Sequence, residues 1–171
     1  MLVARIVTII VLSVMGTVPA LAQAQPTFAQ VTADSSPVAD AYFDAYTRLD
    51  WDRLEPLVAD GASFQDRTAE LVFGSVGATG KPAMMKLFRE GYAGITKIIF
   101  KPMRRIHTGH YGIFEGDLNW ATKMPDGRIV ESTTPFLVTI RVENGKVIEH
   151  RDYADYAPFL AAVLQARKDG K

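Results

Sequence analysis

The second half of the chain is dominated by stretches in which apolar and polar residues alternate. Alternation with a period of two is typical of strands, because successive side chains point to opposite faces of a sheet. A Pro-Asp-Gly turn at 125–127 and an Asn-Gly turn at 144–145 separate the later stretches and predict hairpins. The sequence therefore predicts an antiparallel meander of strands over residues 97–105, 111–124, 128–142 and 147–153.

The first half of the chain supplies helices that can pack on this sheet. The spacing of Val38, Tyr42 and Tyr46 predicts one helix, a cap at Asp50 starts a second, and Pro82 occupies the first turn of a third. A short strand over 62–66 lies between the second and third helices, and apolar residues at helical spacing after 155 predict a closing helix. Helices followed by an antiparallel meander make an α+β layout with three to four helices.

Residues 1–22 have the composition of a secretory signal peptide. Arg5 precedes an apolar run over 6–15, and the small residues Ala20 and Ala22 flank Leu21 at a cleavage site. The run is too short to span a bilayer, so we expect no permanent membrane anchor. The polar composition of 23–36 predicts a flexible tether, and 37–168 is expected to be a single domain. Because the chain has no cysteine, the bacterial periplasm is the expected location of the secreted protein.

Composition and motifs exclude several classes of function. Basic and acidic residues number 19 each, with no basic stripe, so nucleic acid is not an expected partner. The chain has no glycine-rich phosphate loop, nucleophile elbow or dinucleotide fingerprint, and we expect no cofactor. His107 and His110 have no third ligand at a suitable spacing and would point to opposite faces of a strand, so no metal site is expected.

The last predicted strand carries the residues best suited to chemistry. Ile148, His150 and Asp152 share one face by the period of two, so a carboxylate and a titratable imidazole point the same way. Such a pair can act as general acid and general base. Asp152 and His150 are therefore candidate catalytic residues.

The segment from Gly145 to Asp155, which contains Arg151-Asp152-Tyr153, resembles the last strand of SnoaL-like and limonene-epoxide-hydrolase-like proteins. Both belong to the nuclear transport factor 2-like superfamily, and the resemblance extends over about residues 38–164. It implies a cone-shaped curved antiparallel sheet wrapped around helices, with an internal apolar pocket. It also implies that Asp152 carries its carboxylate into that pocket.

The segment 42–66 is also similar to ketosteroid isomerase, a further member of the superfamily. This similarity implies that Tyr42 stabilises an enolate oxygen and that Asp66 abstracts a proton. The aspartate that completes the isomerase site is replaced here, since the matching stretch is Phe136-Leu137-Val138. Tyr42 has an alternative interpretation as a core aromatic residue, and Asp66 as a strand-end carboxylate that bonds its own turn.

The strand over 111–124 has a polar and an apolar face. Asp117 and Asn119 match the positions at which limonene epoxide hydrolase carries pocket residues, and facing inward they would form a cluster with His150 and Asp152. Simple amphipathicity favours the opposite arrangement, in which the other face is buried. The alternating apolar residues are Phe114, Leu118 and Trp120.

If the polar face lines the pocket, the apolar face predicts a homodimer, which the resembling families commonly form through the sheet. His107 matches a histidine of limonene-epoxide-hydrolase-like sequences and is a further pocket candidate. Tyr46 and Phe88, on the apolar sides of two predicted helices, complete the predicted substrate contacts.

Two functions remain from the sequence. One is a cofactor-independent isomerase, lyase or hydrolase that acts by acid–base chemistry on a small apolar carbonyl or epoxide compound. It would use Asp152 with His150, or Asp66 with Tyr42. The other is a non-catalytic periplasmic domain for ligand binding or assembly. Titratable groups that converge on the pocket would favour the enzyme, whereas purely apolar walls would favour binding.

Overall fold

A computed structural model describes residues 25–169, so the predicted signal peptide lies outside the described residues. None of the helices in this range has the length and apolar character needed to cross a bilayer. In chain order the elements are α1 (Phe28–Tyr46), α2 (Trp51–Leu54) with a 3₁₀ turn (Glu55–Leu57), β1 (Val58–Asp66), α3 (Glu70–Phe73), β2 (Val76–Thr79), α4 (Lys81–Lys86) with a π-helical turn (Leu87–Gly91), β3 (Ile95–Thr108), β4 (Tyr111–Lys123), β5 (Ile129–Glu143), β6 (Lys146–Ala154) and α5 (Ala157–Asp169).

The six strands of the described region form one curved, unclosed sheet in the order β2-β1-β6-β5-β4-β3. Strands β3 to β6 form the predicted antiparallel meander. The α+β class and the curved sheet are thus confirmed. The sheet is mixed rather than wholly antiparallel, because β1 pairs with β6 in parallel. A parallel pair requires a long connection, and the elements from α3 to β5 form that connection between β1 and β6.

The core lies between the inner face of the sheet and helix α1. Tyr42, Phe43 and Ala39 of α1 are fully buried or nearly so. Strand β5 alternates strictly between buried and exposed positions over most of its length, so its apolar side chains reach the core from one face. The Phe43 ring stacks on the ring of Phe114 with centroids 4.0 Å apart, which ties α1 to strand β4.

A glycine in β4 allows α1 to lie close to the sheet. A Cβ atom built on Gly112 would lie 2.7 Å from the Cβ of Ala39 in α1 and 3.1 Å from the Phe114 ring. Two Cβ atoms do not approach each other this closely in proteins, so any larger residue at position 112 would displace the helix or the strand. Glycine at position 112 thus sets the distance between these two layers.

Helix α1 begins before the position that the sequence predicted. Residues 28–36, expected to belong to a flexible tether, form its first turns. Thr27 and Gln30 form a capping box, in which each side chain bonds the backbone N–H of the other residue. Thr32 also accepts a bond from the N–H of Gly109 in the turn between β3 and β4. The capping box of Thr27 and Gln30 can be recognised in the sequence, but the polar composition of 23–36 favoured the prediction of a tether.

Helix α5 and the short α3 cover one end of the sheet. The Phe159 ring of α5 stacks on Trp120 of β4 with centroids 4.6 Å apart. The Phe73 ring of α3 contacts Tyr156, which directly precedes α5, with centroids 5.4 Å apart. Neither α3 nor the edge strand β2 was predicted. The predicted closing helix is present as α5.

Candidate active site

A cavity of about 280 Å³ lies between the inner face of the sheet, the end of α4 and the two covering helices. Its wall is mainly apolar and aromatic. The residues that line it are Tyr46, Asp66, Ala69, Phe73, Val76, Leu87, Gly91, Tyr92, Ile95, Ile98, Leu118, Trp120, Thr122, Thr134, Phe136, Asp152, Ala154 and Tyr156. The size and composition are those of a site for a small apolar molecule.

Two carboxylates reach this cavity from neighbouring strands. Asp66 at the end of β1 and Asp152 in β6 are register partners in the parallel pair, so their backbones lie about 4.8 Å apart. The backbone N–H of Arg67 donates to the carbonyl of Asp152 at 3.0 Å and fixes the strand ends together. Asp66 is 6% exposed and Asp152 is 2% exposed. The parallel pairing therefore brings together two acidic residues that are distant in the sequence.

Asp152 is held by two hydrogen-bond donors, one on each oxygen. The Tyr46 hydroxyl donates to Oδ2 at 2.6 Å, and Nε2 of His150 lies 2.7 Å from Oδ1. As the period of two predicted, His150 and Asp152 share a face of β6. His150 is fully buried beneath Asp152 and does not line the cavity itself. Asp152 is thus the point at which this polar network meets the cavity.

The tyrosines around this network are hydrogen-bond donors. Burial raises the pKa of Tyr42 and of Tyr46 well above 10.0, and the charge of Asp152 raises both further. The Tyr42 hydroxyl lies 3.0 Å from Nδ1 of His150. A tautomer with its hydrogen on Nε2 accepts this bond and donates to Asp152, which gives every group a partner. The network therefore directs its donors toward the Asp152 carboxylate.

Tyr92 extends the network along the cavity wall. Its hydroxyl lies 2.8 Å from that of Tyr46. Because the Tyr46 hydrogen points to Asp152, the Tyr92 hydroxyl donates to the Tyr46 oxygen. Burial raises the pKa of Tyr92 well above 10.0, with a further contribution from the charge of Asp152. Tyr92 thus offers a protonated hydroxyl whose hydrogen can turn toward a ligand.

Asp66 is bound by its own turn and by a tyrosine. Its Oδ1 accepts bonds from the backbone N–H of Thr68, the Thr68 hydroxyl and the N–H of Ala69, at 2.9–3.0 Å. Its Oδ2 accepts a short bond from the Tyr156 hydroxyl. These donors use most of the carboxylate's acceptor capacity. Asp66 lines the cavity as predicted, but its bonds match the alternative interpretation of a strand-end carboxylate.

The structure does not bring Asp117 and Asn119 to the cavity, so the predicted cluster of these residues with His150 and Asp152 is wrong. The Asn119 amide donates to Glu131 and Thr133 on the outer face, at 3.1 Å each. The alternate positions of β4, which include Leu118 and Trp120, face inward and line the cavity. Burial of the large apolar side chains determines which face of β4 points inward, as simple amphipathicity predicts. The match to limonene epoxide hydrolase had placed the polar face inward.

Three further predicted residues lie outside the cavity wall. Nε2 of His107 pairs with Asp40 of α1 at 3.2 Å, away from the cavity. Phe88 is fully buried and stacks on Trp51 at 5.2 Å, as part of the core beneath the site. Tyr42 acts behind the site, through His150. Tyr46, by contrast, lines the cavity as predicted.

Sequence reasoning missed the roles of Tyr92 and Tyr156. Both residues have helical apolar spacing, which identifies a buried ring but does not reveal the partner of the hydroxyl. The Tyr92 hydroxyl bonds Tyr46, and the Tyr156 hydroxyl bonds Asp66, because of the way the helices pack on the sheet. Within residues 25–169, no three His, Cys, Asp or Glu side chains are grouped as a metal site requires.

Comparisons with known proteins agree with this fold. The family model for the SnoaL-like domain matches residues 39–150, which is more than half of the chain. A SnoaL-like polyketide cyclase, so described, from Shewanella putrefaciens CN-32 has 20% identity and a TM-score of 0.67, over 77% of this chain and 96% of its own. A comparison with curated proteins found no match.

Two solved structures that are described with other activities share the fold. An epoxide hydrolase of M. tuberculosis, similar to limonene epoxide hydrolase, has 16% identity and a TM-score of 0.57, over 78% of this chain and 91% of its own. A protein described as a ketosteroid isomerase, from Kribbella flavida DSM 17836, has 18% identity and a TM-score of 0.54, over 73% and 80%. The chain therefore belongs to the SnoaL-like domain family and has the fold of the nuclear transport factor 2-like superfamily.

Proposed function

We propose that this protein is a cofactor-independent isomerase, lyase or hydrolase that acts by acid–base chemistry on a small apolar carbonyl or epoxide compound. The observation that carries the proposal is the position of Asp152, a carboxylate at the wall of an apolar cavity that is held by Tyr46 and His150. Proteins of the same fold described as a cyclase, an epoxide hydrolase and a ketosteroid isomerase support this class of reaction.

Asp152 is the proposed general base. Each of its oxygens receives one donor, which leaves a lone pair on each for a proton of the substrate. Apolar walls exclude bulk water and so strengthen electrostatic interactions within the cavity. His150 and Tyr46 fix the orientation of the carboxylate, as the orienting partners of a catalytic base do elsewhere.

With a carbonyl substrate, Asp152 removes a proton from the carbon next to the carbonyl group. The electrons of the broken C–H bond move toward the carbonyl oxygen and form an enolate. The Tyr92 hydroxyl hydrogen turns from Tyr46 to that oxygen, and the bond from Tyr46 to Asp152 remains in place. Where the substrate has a carbon–carbon double bond conjugated with the enolate, return of the proton from Asp152 to the far carbon of that system completes an isomerisation.

With an epoxide substrate, Asp152 is again the base and the Tyr92 hydroxyl is again the hydrogen-bond donor. Asp152 accepts a proton from a water molecule that attacks one ring carbon, and the C–O bond to that carbon breaks. The hydroxyl of Tyr92 donates a hydrogen bond to the oxygen that leaves and stabilises its developing charge. Transfer of the proton from Asp152 to that oxygen, through water, then completes the diol. Both reactions require one base and one hydroxyl donor on the wall of the same cavity.

A panel of small apolar ketones and epoxides in D₂O tests this proposal. Mass spectrometry detects deuterium that enters next to a carbonyl group, and also detects the diol that epoxide hydrolysis forms. Asp152→Asn keeps the shape of the residue but removes the base, so we expect turnover to fall about a hundredfold or more. Asp117→Asn makes the same chemical change on the outer face and is the matched control.

Turnover that survives unchanged in a folded Asp152→Asn protein would contradict the role of Asp152. In that case Asp66 with Tyr156 would be the next acid–base pair to test. Absence of exchange and hydrolysis across the panel, together with tight retention of one compound, would support the non-catalytic alternative.

A further inference from the structure

The cavity wall contains acidic side chains but no basic one among the described residues that line it. Asp66 and Asp152 are its ionisable acids, and no Lys, Arg or His is among the described residues that line it. The arginine and lysine side chains that form ion pairs in the described region are 38–67% exposed. A ligand in this cavity therefore meets two acidic groups and no positively charged one.

The oxygens of both carboxyl groups act as acceptors in their described hydrogen bonds. Asp66 accepts bonds from backbone N–H groups and from two hydroxyls, and Asp152 accepts from Tyr46. Neither carboxyl group donates a hydrogen bond in these contacts, so the wall presents both as acceptors.

The contacts of His150 fit a neutral ring beside Asp152. A cationic imidazole would donate from Nδ1 to the Tyr42 oxygen, and the buried Tyr42 hydrogen would then have no acceptor among its observed partners. The neutral tautomer satisfies both contacts. The charge of Asp152 also contributes to the raised pKa of Tyr92, and that of Asp66 to the raised pKa of Tyr156, after burial in each case.

Aromatic rings form much of the rest of the wall. Ring faces attract organic cations, and the attraction is strongest where water is excluded. The aromatic residues of the described wall are Tyr46, Phe73, Tyr92, Trp120, Phe136 and Tyr156. Rings and uncompensated carboxylates in one cavity are the combination that recognises an ammonium group with an apolar body.

We propose that the ligand of this cavity carries a protonated or quaternary amine on its apolar skeleton. The inference rests on the proposed function only for the location of the site. A quaternary ammonium needs no hydrogen-bond acceptor, so it can lie beside Asp66, whose acceptor capacity is already used. Asp152 then remains available as the base. The same charges disfavour carboxylates, phosphates and other anions.

Binding of three compounds of similar shape to the full domain tests the proposal. They are phenyltrimethylammonium, its neutral carbon counterpart tert-butylbenzene, and the anion benzenesulfonate. We expect the ammonium compound to bind about tenfold more tightly than tert-butylbenzene or better, as measured by NMR titration. Benzenesulfonate should show no saturable binding.

Asp152→Asn and Asp66→Asn should each reduce the preference for the ammonium compound, whereas Asp117→Asn on the outer face should leave it unchanged. Equal or tighter binding of tert-butylbenzene to the unaltered protein would overturn the proposal, as would absence of binding by the ammonium compound. The comparison within the unaltered protein holds even if one variant fails to fold. It also requires no turnover, so its failure is distinguishable from failure of the proposed reaction.

Discussion

Four buried phenols surround the carboxylates of the cavity, and each is held in its protonated form. The pKa values of Tyr42, Tyr46, Tyr92 and Tyr156 are raised above 10.0, first by burial and then by the nearby charges of Asp152 or Asp66. Phenols in an unfolded chain ionise near their ordinary value. The folded and unfolded states therefore bind different numbers of protons in alkaline solution.

This difference predicts how stability changes at high pH. Below pH 10 the phenols are protonated in both states, so they do not make the free energy of unfolding depend on pH. Above pH 10 the unfolded state binds fewer protons, and the free energy of unfolding falls by up to about 1.4 kcal/mol per pH unit for each phenol. Urea unfolding at increasing pH measures this fall. Tyrosinate absorbance in the folded protein provides the control, since ionisation of these four phenols near pH 10 would contradict the prediction.

At the residue scale, the sequence predicts those contacts that depend on position within one strand. His150 and Asp152 share a face because residues two apart on a strand do so. The bond from Tyr46 to Asp152 joins α1 to β6, and the bond from Tyr156 to Asp66 joins the start of α5 to β1. No local pattern indicates such partners, because they depend on how the helices pack.

At the scale of elements, the approach of α1 to β4 depends on the missing side chain of Gly112. Gly112→Ala would place a methyl group 2.7 Å from the Cβ of Ala39, so we expect the free energy of unfolding to fall by about 1–3 kcal/mol. Urea unfolding measures this change. Gly61→Ala is the matched control, since a Cβ there has no atom within 4 Å and Gly61 has no positive φ. Equal stability of the two variants would contradict this account of the packing.

The long strands and their hairpins were predictable because alternation and turn residues extend over many positions. Strand β2 has 4 residues and lies at an edge of the sheet, so its pattern is too short to indicate a strand. Helix α3 also has 4 residues. The parallel pairing of β1 with β6 is a property of the whole topology, and neither strand carries a local sign of it.

At the scale of the whole molecule, we predict export with removal of residues 1–22. Arg5, the apolar run that follows it and the small residues at 20 and 22 are the basis of this prediction. Intact-mass measurement on protein from the periplasm of the native host should give a chain that starts at Gln23. A product that retains Met1 and remains with the membranes would contradict it.

We also predict a homodimer, on a different basis from the sequence argument. The inward direction of Leu118 and Trp120 removes the apolar outer face that the sequence suggested. Strand β3 instead forms an edge of the described sheet and exposes Ile99, Met103 and Ile106, which are 46–60% exposed. A second copy would cover this apolar edge. Light scattering should report a dimer, and a monomer at high micromolar concentration would contradict the prediction.

The position of β6 between β1 and β5 determines when this chain can fold during its synthesis. Strands β1 and β2 join the rest of the sheet through β6, which is made near the end of the chain. A ribosome must therefore complete residues 146–154 before the two parts of the sheet can unite, and such late contacts between distant segments form slowly. The sheet can therefore be completed only when synthesis of the chain is nearly finished.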